Sequence, residues 1–257
     1  MGTHTRIIKD EAHFQDKRII SDFKEPRSKF SLVIEPTTQN YYNKINRILE
    51  SSSLEVLVVG CSTGTVTPLA RKGANVIGID ISKEAIAHLN YAIQKEGLST
   101  NATAIVMDAE KPEFPENSFD LICCSGVLHH LDINRSLNNW HKLLKTNGRI
   151  VMLEPLKWNP FAAIYRHFTP AERTPNEHPL SRSDIIMIKK YFYNTWLTPI
   201  NLFTPLSLLF TFYLNLPRIA KVSYIFFSMI DKFLFKCIPV LKYFSWSMII
   251  ECTKSNK

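Results

Sequence analysis

LEVLVVGCSTG, residues 54–64, passes from a β-branched apolar run directly into a glycine-bearing turn, and GID closes the next apolar run at Asp80. Valine-rich runs suit the pleated, covered surface of a strand. Glycine allows the backbone of a tight turn to approach a ligand closely. A carboxylate ending the second strand accepts hydrogen bonds from ribose hydroxyls. Strand, glycine turn, helix, strand and acid, in that order, suit an adenosine-bearing cofactor.

The pattern continues on both sides. Glu55–Val59, Asn75–Ile79, Ala102–Val106, Phe119–Cys124 and Arg149–Leu153 read as strands, and the intervening stretches carry helical spacing. Thr67 before Pro68 reads as a helix N-cap, Ser82 and Asp132 as two more, and Gly73 as a helix stop. Upstream, Tyr41, Tyr42, Ile45, Ile48 and Leu49 recur at helical spacing in a lead-in that runs to Ser53. Near the end, Trp246–Cys252 reads as a strand that returns to complete the sheet. Strands alternating with helices predict a doubly wound α/β fold.

The chain has 257 residues, 45% apolar and 21% charged, enough for one globular domain with an elaboration. Its formal charge of +8 admits anionic partners, but the lysines are dispersed, which argues against a nucleic-acid patch. The five cysteines, without CxxC spacing, read as buried reduced thiols and imply a cytoplasmic setting. The polar N-terminus has no apolar core of the kind a secretory signal carries.

The turn Gly60-Cys61-Ser62-Thr63-Gly64 is not GxGxxG, which disfavours a dinucleotide enzyme. It matches GxSxG formally, but it follows the first strand rather than several, and Asp80 occupies the place of a ribose partner. VLVVGCSTG, GID, MDAE at Asp108, FDLICCSGVLHHL and LKTNGRIVMLEP together resemble the class I S-adenosylmethionine-dependent methyltransferases, in particular the small-molecule branch that includes ubiquinone-biosynthesis enzymes. The resemblance covers about Ser53 to Pro155 and implies a Rossmann-like, mostly parallel seven-stranded sheet. It places Gly60, Cys61 and Gly64 under the cofactor, Asp80 on its ribose, Ile81 beside the adenine, Asp108 and Ala109 at the adenine edge, and Ser125 and His130 by the methionine portion. Ser62 stands where a middle glycine is usual.

Adjacent histidines diverge on a regular backbone, so His129-His130 reads as no metal pair, and no metal is expected. The resemblance puts a substrate lid from Glu154-Pro155 onward, where Arg166, Arg173 and Glu154 are candidates for the substrate head group. His178 and His129 are candidate bases, because histidine titrates near neutrality.

The last third is apolar. Tyr191 to Pro217 holds no charged residue, yet Pro199 and Pro205 interrupt it, too soon for a membrane span. Phe226, Phe227, Phe233 and Phe235 beside Lys221, Lys232 and Lys236 suit an interfacial surface or a greasy substrate tunnel. The organisation expected is therefore one domain over 1–257. Its core is 41–155, closed by strand 246–252, with a lid and helical apolar insertion over 156–245. The function expected is methyl transfer from S-adenosylmethionine to a hydrophobic or lipid-like small molecule at oxygen, in the cytoplasm or peripherally on a membrane. Two alternatives stand beside it: a non-catalytic S-adenosylmethionine-binding partner at a membrane, and a serine hydrolase using Ser62. Oligomeric state is open.

Overall fold

Four consecutive side chains of strand β1 (Glu55–Val59) are buried, Val56 to Val59, as a strand covered by helices on both faces requires. In this computed structural model β1 pairs in parallel with β2 (Asn75–Asp80) on one side and β4 (Phe119–Ser125) on the other. The described residues are 10–16, 31–50, 53–61, 63–168, 174, 177–192, 194–212 and 214–255. Strand β3 (Ala102–Val106) extends the sheet beyond β2, and β5 (Leu144–Pro155) extends it beyond β4.

The seven strands run in the order β3-β2-β1-β4-β5-β7-β6. The C-terminal strand β7 (Ser247–Thr253) inserts antiparallel between β5 and β6 (Asn194–Ile200). The expected returning strand is therefore present. Strand β6 falls inside the uncharged run that the sequence assigned to the insertion. Its alternation of exposed Asn194 and Trp196 with more buried Thr195 and Leu197 was obscured by Pro199, a residue that an edge strand tolerates. One apolar core lies on each face of the sheet, and Trp140 and Phe192 are the largest side chains fully buried.

Ser82 and Asp132 cap helices as expected, each accepting from the amide three residues on at 3.0 Å. The cap at Thr67 is corrected. The helix after β1 is Thr63–Ala70, so Pro68 lies inside it. Proline has no N–H for the carbonyl four residues back. That carbonyl, on Gly64, instead accepts the hydroxyl of Tyr42 from the helix Ser31–Leu49.

All five cysteines are free, and four of them are buried. Among the described residues no helix is long and apolar enough to cross a membrane. The longest, Pro217–Cys237, is moored by Asp231. This buried carboxylate accepts the amides of Leu202 and Phe203 at 2.8 Å, the Thr204 amide at 3.3 Å and the Thr204 hydroxyl at 3.1 Å. Replacement of Asp231 by alanine would leave those donors buried and unpaired. A stability loss of about 3 kcal/mol is expected in urea titration, and a loss below about 1 kcal/mol would refute the mooring role.

Candidate active site at the switch point

Strand order reverses between β1 and β4, because the chain winds outward to β2 and β3 and then returns to the other side of β1. The loops leaving β1 and β4 diverge there and open a crevice at the carboxyl ends of the strands, which is where ligands bind in open α/β sheets. Gly60 lies at that divergence with φ +70°, and a Cβ on it would fall 2.0 Å from Cγ2 of Val127, in the loop after β4. Only glycine fits this contact. A Cβ on Gly78 would likewise fall 2.8 Å from the Cys61 sulfur. The Cys61 thiol is thus packed into β2, and burial holds its pKa far above the ordinary value.

Asp80 ends β2 beside this crevice, and its Oδ1 accepts the Ser82 amide at 2.9 Å. Burial raises its carboxyl pKa to about 6; the amides of Ser82, Ile81 and Cys61 oppose that rise, and the Asp16 carboxylate adds to it. Ile81 follows, half-buried. Asp108 lies just beyond β3 and accepts the Glu110 amide at 2.8 Å. Ala109 is buried, with its carbonyl on the indole N–H of Trp140 at 2.9 Å. Ser125 ends β4, half-buried, and exposed Gly126 follows with φ +68°. Gly64 lies in the first turn of the helix Thr63–Ala70. The cofactor-binding candidates therefore converge on one edge of the sheet. Carboxylates at Asp80 and Asp108, around a loop that only glycine permits, form a polar set that fits a nucleoside.

The two histidines occupy a 3-10 turn, Leu128–His130. Their rings lie 4.1 Å apart between centroids, which corrects the expectation that adjacent side chains diverge. His129 is buried, and its Nδ1 lies 2.6 Å from Oε2 of Glu154. The other oxygen of Glu154 accepts the Val127 amide at 3.1 Å, the Leu128 amide at 3.0 Å and the Cys124 thiol at 3.4 Å. Burial alone would raise the Glu154 pKa. The His129 hydrogen bond and charge, with the two amides, outweigh it and hold the group below its ordinary value. An ionised carboxylate only accepts, so Nδ1 is the donor of this pair, and in the neutral ring Nε2 is the nitrogen left with the lone pair.

His130 Nδ1 lies 3.3 Å from the Thr174 hydroxyl and 3.4 Å from a carboxylate oxygen of Glu11. Burial and the neighbouring His129 charge pull the His130 pKa down to about 4. His129, His130 and Glu177 each offer a ligand atom within 4.8 Å of the others, a set able to hold a divalent ion.

The substrate assignments are revised. Glu154 is fully buried and surrounded by protein donors, so it positions His129 rather than contacting a substrate. Arg166 directs its guanidinium to the carbonyls of Leu156 and Lys157, at 3.1 to 3.4 Å, bracing the turn after β5. Arg173 and Ser62 lie outside the described residues. His178 is exposed, while its backbone N–H donates to the His129 carbonyl at 2.9 Å. Sequence reasoning placed 10–16 in the helical lead-in and missed its part in the site. Its Asp16 accepts the Ser82 hydroxyl and its Glu11 reaches His130, so it runs across the crevice. The acidic spacing in DEAHFQD was the available signal.

A family profile described as a methyltransferase domain matches residues 57–152. Over those residues the chain is similar to class I methyltransferase domains. It is similar to the aklanonic acid methyltransferase DauC of Streptomyces sp. strain C5, 36% identical over 125 residues, covering 47% of this chain and 54% of that protein. The ubiquinone biosynthesis O-methyltransferase of Pseudomonas aeruginosa strain UCBPP-PA14 is 29% identical over 127 residues, covering 48% of this chain and 54% of that protein. This chain spans about half the length of the curated relatives it matches. Among solved structures, the geranyl diphosphate C-methyltransferase of Streptomyces coelicolor superposes with a TM-score of 0.59 at 14% identity, over 84% of this chain and 79% of that one, a likeness of fold.

A carboxylate raised to about 6 accepts from sugar hydroxyls only once it is ionised. Affinity for S-adenosylhomocysteine is therefore expected to rise with pH through 6, level off above it, and fall about tenfold per pH unit below it. Calorimetric titration across that range tests this, with Asp80→Asn expected to bind weakly and without the slope. Melting temperature is a poorer readout. Asp80 removes stability as pH rises through about 6, whereas lowered His130 removes it as pH falls from its ordinary range toward about 4.

Proposed function

We propose that this protein transfers a methyl group from S-adenosylmethionine to a hydroxyl of an apolar small molecule, with His129 as the base. The observation that carries this reading is the His129–Glu154 pair at 2.6 Å, one turn beyond the β4 end of the cofactor crevice. The methyltransferase domain and the named activities of the relatives support the reaction class. The names of those relatives, an aklanonic acid methyltransferase and a ubiquinone biosynthesis O-methyltransferase, support a small-molecule acceptor. S-adenosylmethionine supplies a methyl group made electrophilic by an adjacent sulfonium.

The residues of this chain supply position, dryness and proton transfer. Asp80 and the Gly60 turn hold the nucleoside, and the packed walls of Val127 and Leu128 limit water beside the reacting atoms. The acceptor hydroxyl gives its proton to His129 Nε2 as its oxygen bonds to the methyl carbon, while the carbon–sulfur bond breaks and S-adenosylhomocysteine leaves as the neutral thioether. Glu154 keeps His129 in the tautomer that can take that proton and then stabilises the imidazolium. This is the logic of a carboxylate-oriented histidine. The lowered pKa of Glu154 keeps the orienting charge in place down to mildly acidic pH.

Incubation with methyl-labelled S-adenosylmethionine and a fractionated lipid extract, followed by mass analysis, tests the reaction and identifies the acceptor. His129→Ala is expected to lower kcat by about 10²- to 10⁴-fold with little change in S-adenosylhomocysteine affinity. Glu154→Gln retains bulk but loses the charge, and is expected to lower kcat and shift the acid limb of the pH–rate profile. Binding without transfer to any extract would indicate a non-catalytic binding protein. Transfer unaffected by His129→Ala would remove the base assignment.

A further inference from the structure

Twelve of the twenty large apolar side chains left exposed among the described residues lie between 209 and 244. Six of them belong to the helix Pro217–Cys237: Ile219, Val222, Ile225, Phe226, Met229 and Phe233, between 47% and 68% exposed. They recur at steps of three and four residues with one adjacent pair, so they form a single outward stripe. The opposite side of the helix holds buried Ala220 and Asp231. Lys221 and Lys232 border the stripe, and Arg218 and Lys236 lie at its ends. Between 201 and 246 the only acidic residue is Asp231, and its carboxylate points inward to the amides of Leu202, Phe203 and Thr204. The outer surface of this segment is thus apolar and cationic, with no exposed carboxylate.

We propose that this stripe docks on the headgroup boundary of an anionic lipid bilayer, with Phe226, Met229 and Phe233 entering the acyl region and the lysines on phosphate groups. Charge complementarity selects this occupant. A twofold contact between two copies would place the same cationic border against itself, because such an interface uses one patch twice. An amphipathic helix bordered by lysines suits anionic lipid. The topology also sets the stripe near the site. Strand β6 ends at Ile200 opposite Ser247, as β5 ends at Pro155 opposite the same residue, so the insertion leaves the sheet at the edge that carries the crevice. Asn159, after β5, ties the two together by donating to the carbonyls of Leu202 and Phe244. An apolar acceptor dissolved in the bilayer then reaches the site without crossing water. Docking itself does not depend on the reaction assigned above.

Co-sedimentation of the full chain with vesicles tests it, using phosphatidylcholine alone and phosphatidylcholine mixed with phosphatidylglycerol, with no cofactor present. Binding to the anionic vesicles is expected, weakening as salt rises. Phe226→Ser with Phe233→Ser should lower partitioning more than tenfold. Lys221→Gln and Lys232→Gln should each lower it about fivefold on the anionic vesicles only. All four positions are exposed, so circular dichroism and melting should match the parent. No sedimentation of the parent with anionic vesicles overturns the proposal. So does concentration-dependent dimerisation that the Phe226/Phe233 variant abolishes, since a second copy would then own the stripe. Equal binding to both vesicle types overturns the choice of anionic lipid.

Discussion

The carboxylate of Glu154 has no accessible surface, and its two oxygens take four donors: the amides of Val127 and Leu128, the thiol of Cys124 and the imidazole of His129. An ionised group so placed is tolerated only if its partners are in place, because an unpaired charge in that environment would cost several kcal/mol. The turn after β4 is therefore constrained. It must present two amides and the ring nitrogen of His129 to a fixed point on β5. That constraint brings Val127 against Gly60, sets the width of the crevice between β1 and β4, and stacks His130 on His129.

Much of this was legible from residue order alone. The valines of β1, the glycine that follows and Asp80 report a local requirement: a buried strand, a positive φ, and an acceptor at a strand end. Such signals do not depend on distant chain segments, and the same holds for the caps at Ser82 and Asp132. Glu154 and Arg166 were misread because their partners are distant in sequence or are backbone atoms. Nothing in EPLKW states that the glutamate points inward to the turn after β4, nor that the arginine meets the carbonyls of Leu156 and Lys157. His129 and His130 were misread because a divergence rule for regular backbone was applied to a 3-10 turn.

Strand β6 and the helix cap illustrate a second limit. Pro199 and Pro68 each signal interruption, and in both cases the fold absorbs the missing N–H. An edge position suffices for Pro199, and the Tyr42 hydroxyl serves the carbonyl that Pro68 cannot. The stretch 10–16 was read only as helical lead-in, because its acidic residues act on Ser82 and His130, partners far along the chain that its own spacing does not name.

Glu154 and Asp231 form a pair in physical terms. Each is a buried carboxylate that gathers backbone amides from an irregular turn at the same edge of the sheet. At Glu154 one acceptor place is taken by a histidine, and the anchored turn becomes a site able to move a proton. At Asp231 the places go to amides and the Thr204 hydroxyl, so the charge does only structural work. Its consequence nonetheless reaches the surface. By drawing the only carboxylate of its helix inward, it leaves an outer face on which every charge is positive. The apolar stripe and its cationic border are therefore the outward counterpart of the bonds that hold the helix to the body of the protein.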